Sequence, residues 1–262
     1  MSRYRKRTVA GAVIELEFFN APESRSPSIK PLREKIRTEA ERREYNRRKS
    51  EKHFTRLVNA NFDHTAYYVT LTYDNEHLPL TIEEAERDLK NYKRRLQRNN
   101  PYAKIIAVTG RGRRSGRLHH HLIVSGVSES DIIGKWTGGE IARAEHLREH
   151  NYYNGVDCGE DFTGLAEYLF AHTDETAKGR RWKQTKTIEQ PKADKPKKVS
   201  RFYSEKKPPK APKGYKLINV RCSEYFGSGY ICFKYVRIPT EDLNYNRYSP
   251  RGKSRKTDTL KC

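Results

Sequence analysis

The chain predicts an α+β fold, and three observations carry that expectation. Short runs rich in β-branched and aromatic residues alternate their faces with a period of two. Two longer runs repeat their apolar residues at helical spacing. Between residues 60 and 176 these elements follow one another as strand, helix, two strands and helix, with basic segments on either side. The 262 residues allow one large domain or a compact domain with appendages. Apolar residues make up 34% and glycines add 16 residues, which stays below the roughly 45–50% usual for a globular chain. Part of the length therefore lies outside a core.

Taken in order, Ile29 to Leu57 is dense in Glu, Arg and Lys and reads as a solvated helix. Ala66 to Tyr73 reads as a strand with Tyr67, Val69, Leu71 and Tyr73 on one face and Tyr68, Thr70 and Thr72 on the other. Thr81 to Arg98 follows as a helix opened by a capping box of Thr81 and Glu84, with Ile82, Ala85, Leu89, Tyr92 and Leu96 on its apolar face. Ala103 to Thr109 and His119 to Ser125 are two strands joined by a tip of three glycines and four arginines, Arg111, Arg113, Arg114 and Arg117, suited to reaching phosphates. Phe162 to Thr176 reads as a helix with Leu165, Tyr168, Leu169 and His172 on one face. Five prolines among lysines make Glu189 to Lys216 an extended basic linker, because proline supports neither a helix interior nor a central strand. Lys216 to Ile238 regains β character as a hairpin turning at Gly-Ser-Gly, and the chain beyond Asn244 is polar, basic and expected to be disordered. These elements divide the chain into a basic arm and helix (1–58), a middle domain (59–188), a linker (189–216), a β-hairpin segment (217–239) and a basic tail (240–262).

Charge is distributed unevenly. The total is 54 basic against 33 acidic residues, a net of +21, which points to an anionic partner. Residues 1–60 carry a net +8, 61–176 a net −4, 177–216 a net +12 and 245–262 a net +5. The positive charge thus flanks a slightly acidic middle, as expected if basic segments hold a phosphate backbone while the core does something more specific. The blander reading is that the flanks confer solubility. The four cysteines form no C-x-x-C pair, and no apolar run approaches the length of a bilayer span, so a disulfide scaffold and a membrane protein are excluded and a reducing cytoplasm is expected. The apolar stretch Val9 to Ile14 is cut short by Glu15 and Glu17 and is too short for an export signal.

In the run His119-His120-His121 the outer two residues share a strand face and the middle one points away. Two neutral imidazoles at that spacing can seat a divalent metal; the alternative is a polar strand end with solvated histidines. Tyr168 and His172 lie four apart on a helix and can touch. Taken alone, a tyrosine there is core packing.

Together these passages resemble the HUH endonucleases, and more closely the rolling-circle replication initiators of bacterial plasmids and small phages. Asn59-Ala-Asn-Phe62 with Thr70-Leu-Thr-Tyr73 looks like the family's first motif, and Gly116 to Val124 looks like its His-hydrophobic-His motif. Leu165-Ala-Glu-Tyr-Leu169 looks like the helix carrying the nucleophilic tyrosine, and Gly179-Arg-Arg-Trp182 with Tyr225-Phe-Gly227 resembles the basic C-terminal portion. The resemblance spans about residues 30 to 238. It implies an HUH-type small antiparallel sheet with helices packed on one face, an endonuclease domain at 59–188, and a Mg²⁺ or Mn²⁺ held by His119 and His121. It also implies Tyr168 as nucleophile forming a 5′-phosphotyrosine, with His172 assisting. The partners implied are single-stranded DNA at a replication origin and the replication machinery of a bacterial host, with no membrane.

Three departures from the pattern stand out. His120 occupies the hydrophobic position, and Gly110 stands where many relatives have a glutamate ligand, so a carboxylate such as Asp74, Asp157, Glu160 or Asp161 would have to serve. The usual basic residue three places after the tyrosine is Ala171, with His172 one place later. The competing readings are a relaxase or transposase of the same superfamily and a non-catalytic DNA-binding protein with vestigial histidines. A zinc-stabilised module lacks the cysteine spacing it would need.

Overall fold

The first strands arise where Ile14, Leu16 and Phe18 alternate with Glu15 and Glu17, a period of two that places apolar groups on one face and carboxylates on the other. The computed structural model describes residues 2–21, 38–112, 115–139, 142–173, 181–223 and 229–238. In it, β1 (Ser2–Ala10) and β2 (Val13–Ala21) form an antiparallel hairpin. A Cβ on Gly11 at its turn (φ +57°) would overlap the Asn59 carbonyl oxygen, so glycine lets the hairpin sit against the next helix. That helix, α1 (Glu39–Asn61), starts with a capping box of Thr38 and Glu41. Strand β3 (Tyr67–Thr72) and helix α2 (Ile82–Asn99, capped by Thr81 and Glu84) follow as expected. The expected hairpin is β4 (Lys104–Arg111) and β5 (Leu118–Ser125). Then come a short helix α3 (Glu129–Gly134), strand β6 (Ala142–His146) and a small ribbon of β7 (Tyr152–Tyr153) and β8 (Val156–Asp157). Helix α4 (Thr163–Ala171) is followed by two-residue strands β9 (Lys183–Gln184), β10 (Lys192–Ala193) and β11 (Lys197–Lys198). The chain closes its described part with the hairpin of β12 (Tyr215–Cys222) and β13 (Ile231–Arg237).

The fold is α+β, with every strand pairing among the described residues antiparallel. The central sheet has the order β6-β3-β5-β4-β9. One face buries Val69, Leu71, Ala107, Leu122 and Val124 against Leu89, Tyr92 and Leu96 of α2. The other buries Ile106, Val108 and Ile123 against Phe54, Leu57 and Val58 of α1 and Ala166, Leu169 and Phe170 of α4. Helices therefore flank the sheet on both faces, and the histidine-bearing face stays open only at one end.

Two expectations need correction. Residues 2–21, read as part of a basic arm, are a hairpin that joins the C-terminal hairpin in a second sheet of order β10-β1-β2-β13-β12, with β11 also on β1. The Pro/Lys-rich stretch is not a free linker. Val199, Tyr203 and Ala211 pack on Ile14, Leu16, Phe18, Phe233 and Tyr235 of that sheet, and the Tyr235 hydroxyl donates to the Pro209 carbonyl at 2.9 Å. Proline excludes only regular structure, and an irregular strap can still cover an apolar sheet. Helix α1 is likewise only partly solvated, since its last three turns bury Phe54, Leu57 and Val58. The tail 240–262, the Gly-Ser pair of the last hairpin's turn (Gly227 and Ser228) and the first residues of the expected 29–57 helix lie outside the described residues.

Candidate active site

Strand register brings the site together. β3 lies against β5 with Thr70 opposite His121 and Thr72 opposite His119, while β4 places Gly110 opposite His119. Alternation then aims Tyr68, Thr70, Thr72, His119 and His121 to one face and His120 to the other. The His119 and His121 rings stand 4.8 Å apart between centroids. Helix α4 crosses this face and delivers Tyr168, 5.8 Å from the His121 ring, and His172, 5.7 Å from it; the Tyr168 and His172 rings are 4.0 Å apart. All four line one open pocket of about 370 Å³ with Thr70, Thr72, Arg111, Gly112, Ser115 and Arg117. Tyr168 remains 45% exposed, so its hydroxyl is accessible to a polymer running over the surface.

The hydrogen bonds set the state of the imidazoles. His119 Nδ1–H donates to the Arg117 carbonyl (3.2 Å) and His172 Nδ1–H to the Tyr168 carbonyl (2.8 Å). In the neutral ring each bond leaves the lone pair on Nε2. His121 Nδ1 pairs with the Tyr68 hydroxyl at 2.7 Å. Burial lowers the pKa of His119 below its usual value, and burial together with the neighbouring His119 and His172 holds His121 down to about 4. Both rings are therefore neutral near pH 7. Burial pushes the Tyr68 hydroxyl up to about 12, so it stays protonated.

His120 is wholly buried on the α2 side, where its Nε2 meets the Tyr73 hydroxyl (2.8 Å) and its Nδ1 the Thr109 hydroxyl (2.9 Å). Burial brings it down to about 3, so it is a neutral, doubly hydrogen-bonded core residue in an otherwise apolar position.

The divalent metal that the resemblance implies finds a partial fit. Two neutral imidazoles with outward lone pairs are suitable donors. The carboxylates considered as a third ligand are engaged elsewhere: Asp74 with His77, Asp157 with His150, Glu160 with His64 and Asp161 with Lys234. Among the described residues no three His, Cys, Asp or Glu side chains are set to hold one ion. The place of the missing glutamate is also closed. A Cβ on Gly110 would overlap the His172 carbonyl oxygen and lie 3.5 Å from His119 Nε2, because the end of α4 packs directly on this backbone.

Of the four arginines of the β4–β5 tip, Arg111 and Arg117 line the pocket and Arg113 and Arg114 lie outside the described residues. Arg117 donates to the Asn75 side chain (2.7 Å) and the Tyr73 carbonyl (2.9 Å), which pins the tip to the end of β3. The sequence reading missed Tyr68 as a partner of His121. Its face was legible from alternation, but the β3–β5 register that seats it beside the histidine was not.

Residues 66–176, somewhat under half of the chain, match the model of a family of replication-associated proteins, the ORF2 type. The matched segment runs from the start of β3 past α4 and contains His119, His121, Tyr168 and His172. No curated protein and no solved structure matches. The part of the chain that holds the site is thus similar to replication-associated proteins.

Proposed function

We propose that this protein is a replication initiator that nicks single-stranded origin DNA by tyrosine transesterification. The observation that carries the reading is the convergence of Tyr168, His172, His119 and His121 in one open pocket inside the segment that matches a replication-associated family. Nε2 of His119 and of His121 would hold Mg²⁺ or Mn²⁺, which when bound polarises a non-bridging oxygen of the scissile phosphate. With imidazole donors and no carboxylate, the site favours Mn²⁺ over Mg²⁺, whose preferred ligands are oxygens.

The remaining chemistry belongs to the chain's own groups. Tyr168 Oη attacks phosphorus as the bond to the 3′ oxygen breaks, giving a 5′-phosphotyrosine and a 3′-hydroxyl that a host polymerase can extend. A phenol with an ordinary pKa near 10 needs a base, and His172 Nε2, whose ring lies against the tyrosine, accepts the proton. The departing 3′ oxygen takes up a proton in turn. Tyr68 orients His121 through Nδ1, and Arg111 and Arg117 flank the path of the strand.

The test is a denaturing gel of the protein with an origin-bearing single strand and Mn²⁺. Wild type should give a covalent adduct and Tyr168→Phe none, with folding and DNA binding kept. His119→Ala and His121→Ala should abolish cleavage. His172→Ala should slow it by about 10²–10⁴-fold, the usual worth of general acid–base help. An adduct persisting in Tyr168→Phe would move the nucleophile elsewhere, with Tyr152 and Tyr153 next to be tried. The absence of three metal-ligating side chains in one place among the described residues favours a second reading, a non-catalytic DNA-binding protein. A wild type that forms no adduct with any single strand in Mg²⁺ or Mn²⁺ would support it. A relaxase or transposase of the same superfamily would make the same adduct and differ in the DNA it accepts.

A further inference from the structure

We infer that the outer face of the second sheet, with the strap that covers it, is a separate landing surface for duplex DNA. This deepens the proposed function and rests on it for the identity of the polymer. The argument begins with the alternation in β1. Its register with β2 pairs Arg5 with Phe18 and Arg7 with Leu16, so these arginines lie on the face that carries the apolar cluster, while Glu15 and Glu17 point to the other face. There the glutamates are neutralised by Lys52 and Arg56 of α1. The sheet therefore sorts its charge, with cations outward and carboxylates inward.

The strap adds to the outward side. Residues 189–216 hold ten basic and three acidic side chains. Lys195, Lys206, Lys207, Lys210 and Lys213 are exposed, and none forms an ion pair among the described residues. The lysines are held on a fixed surface. β10 and β11 pair with β1, Tyr203 packs on Phe18 at 5.0 Å between ring centroids, and Pro209 is bonded to Tyr235. None of the residues lining the histidine pocket belongs to this sheet or strap.

Duplex is favoured over single strand by the kind of side chain displayed. Single strands are held by stacking bases on exposed aromatics. Phe202 is the one large exposed apolar side chain among the strap's described residues, and the Arg3 guanidinium lies over its ring at 3.9 Å. What remains is a field of point charges across five neighbouring strands. At about 4.8 Å per step those strands span roughly 19 Å, enough to reach phosphates on both sides of a major groove about 12 Å wide. A nickase working at an origin needs such a surface, because the strand it cuts is continuous with duplex.

The experiment measures binding of the full-length protein to a labelled 30-base-pair duplex and to a 10-nucleotide single strand by fluorescence anisotropy over a salt series. It compares wild type with the quadruple variant Lys206→Gln, Lys207→Gln, Lys210→Gln and Lys213→Gln. All four side chains are solvent-facing, and equal melting temperatures check that the fold is kept. With each phosphate contact contributing about 0.9 to the slope of log K against log salt, the duplex slope should fall by roughly 2–4 and duplex affinity near 0.15 M salt by about 10-fold or more. Affinity for the short single strand should change less than about twofold. An unchanged duplex slope overturns the inference, as does an equal loss on both DNAs, which would make the strap a single-strand or indiscriminate polyanion surface. Tighter binding of the wild type to anionic vesicles than to duplex, lost in the variant, would also overturn it. Failure of the nuclease reading looks different, since a wild type that forms no adduct leaves these binding results intact.

Discussion

Gly110 shows how a single missing side chain shapes the site. Its neighbours explain why a glutamate ligand cannot simply be restored, because the His172 carbonyl occupies the space a Cβ would take. Gly110→Glu, and even Gly110→Ala, should push α4 off the sheet, cost about 1–3 kcal/mol as overpacking does, and slow adduct formation by displacing Tyr168. Thermal melting and the gel assay check both effects. A Gly110→Glu variant of undiminished stability that needs less Mn²⁺ would show instead that α4 yields. His120 supplies a second test at this scale. With a folded pKa of about 3 against 6.5 in the unfolded chain, the unfolded state binds more protons between those values. Its contribution to stability is therefore complete above about pH 6.5 and lost as pH falls toward 3, amounting to about 2 kcal/mol at pH 5 at 1.36 kcal/mol per pKa unit. His120→Leu should lose about 1–3 kcal/mol at pH 7 through the unpaired Tyr73 and Thr109 hydroxyls, yet show a smaller drop in melting temperature from pH 7 to pH 5, and it should still cleave. That His120 faces away from His119 and His121 was legible in the triplet itself, because strand alternation is a local property. The tautomers were not legible, since they depend on carbonyls that only the folded chain brings near.

Helix α4 is the element on which the chemistry hangs, and its anchoring comes from distant parts of the chain. It is nine residues long and has no side-chain cap, so propensity alone does not hold it. Lys234 of β13 bonds Asp161 (2.6 Å) and the Thr163 hydroxyl (2.5 Å) at its start, and Arg221 of β12 bonds Glu167 (3.1 Å) along its exposed side. Asp161 is 7% exposed, so Lys234→Met would strand a buried carboxylate. We expect a loss of about 3–5 kcal/mol, the usual result of breaking a buried pair, visible in chemical denaturation. Arg221→Ala removes an exposed pair and should cost under about 1 kcal/mol. Comparable losses in the two variants would show that Asp161 does not depend on Lys234. Helices and long strands of the middle segment were legible because their periodicity runs for a whole element. β6, β9, β10 and β11 were not, because strands of two to five residues take their shape from a neighbour's edge. The alternation Ile14-Glu15-Leu16-Glu17-Phe18 was present in the sequence and identifies a strand, but the two glutamates drew it into the basic arm. Their partners, Lys52 and Arg56, lie some forty residues away.

At the scale of the whole molecule, the two ends of the described chain meet in one sheet, with β2 beside β13, and α1 links that sheet to the central one. Charge composition predicted a polyanion partner, but it could not say that the basic segments fold, because net charge bears on association and not on architecture. Among the described residues no helix is long and apolar enough to cross a membrane. The interdependence of the sheets has a direct consequence for the middle segment on its own. Residues 59–188 contain all four site residues, yet they lack Phe54, Leu57 and Val58, each 0% exposed under the histidine face of the central sheet. Removing α1 re-exposes the apolar surface these side chains cover. At about 1.5–3 kcal/mol for each fully buried large apolar side chain, the loss is on the order of 5–9 kcal/mol, comparable with the entire stability of a typical domain, about 5–15 kcal/mol. The segment also lacks Lys234, which pairs with Asp161 at the start of α4. The isolated 59–188 segment should therefore lack a cooperative melting transition and form no adduct, whereas residues 2–238, which keep both sheets, should melt cooperatively and nick. Circular dichroism melting of the two fragments, with the same gel assay, decides it. A cooperatively folded, active 59–188 would mean that α1 and the second sheet are accessories to a self-sufficient nuclease.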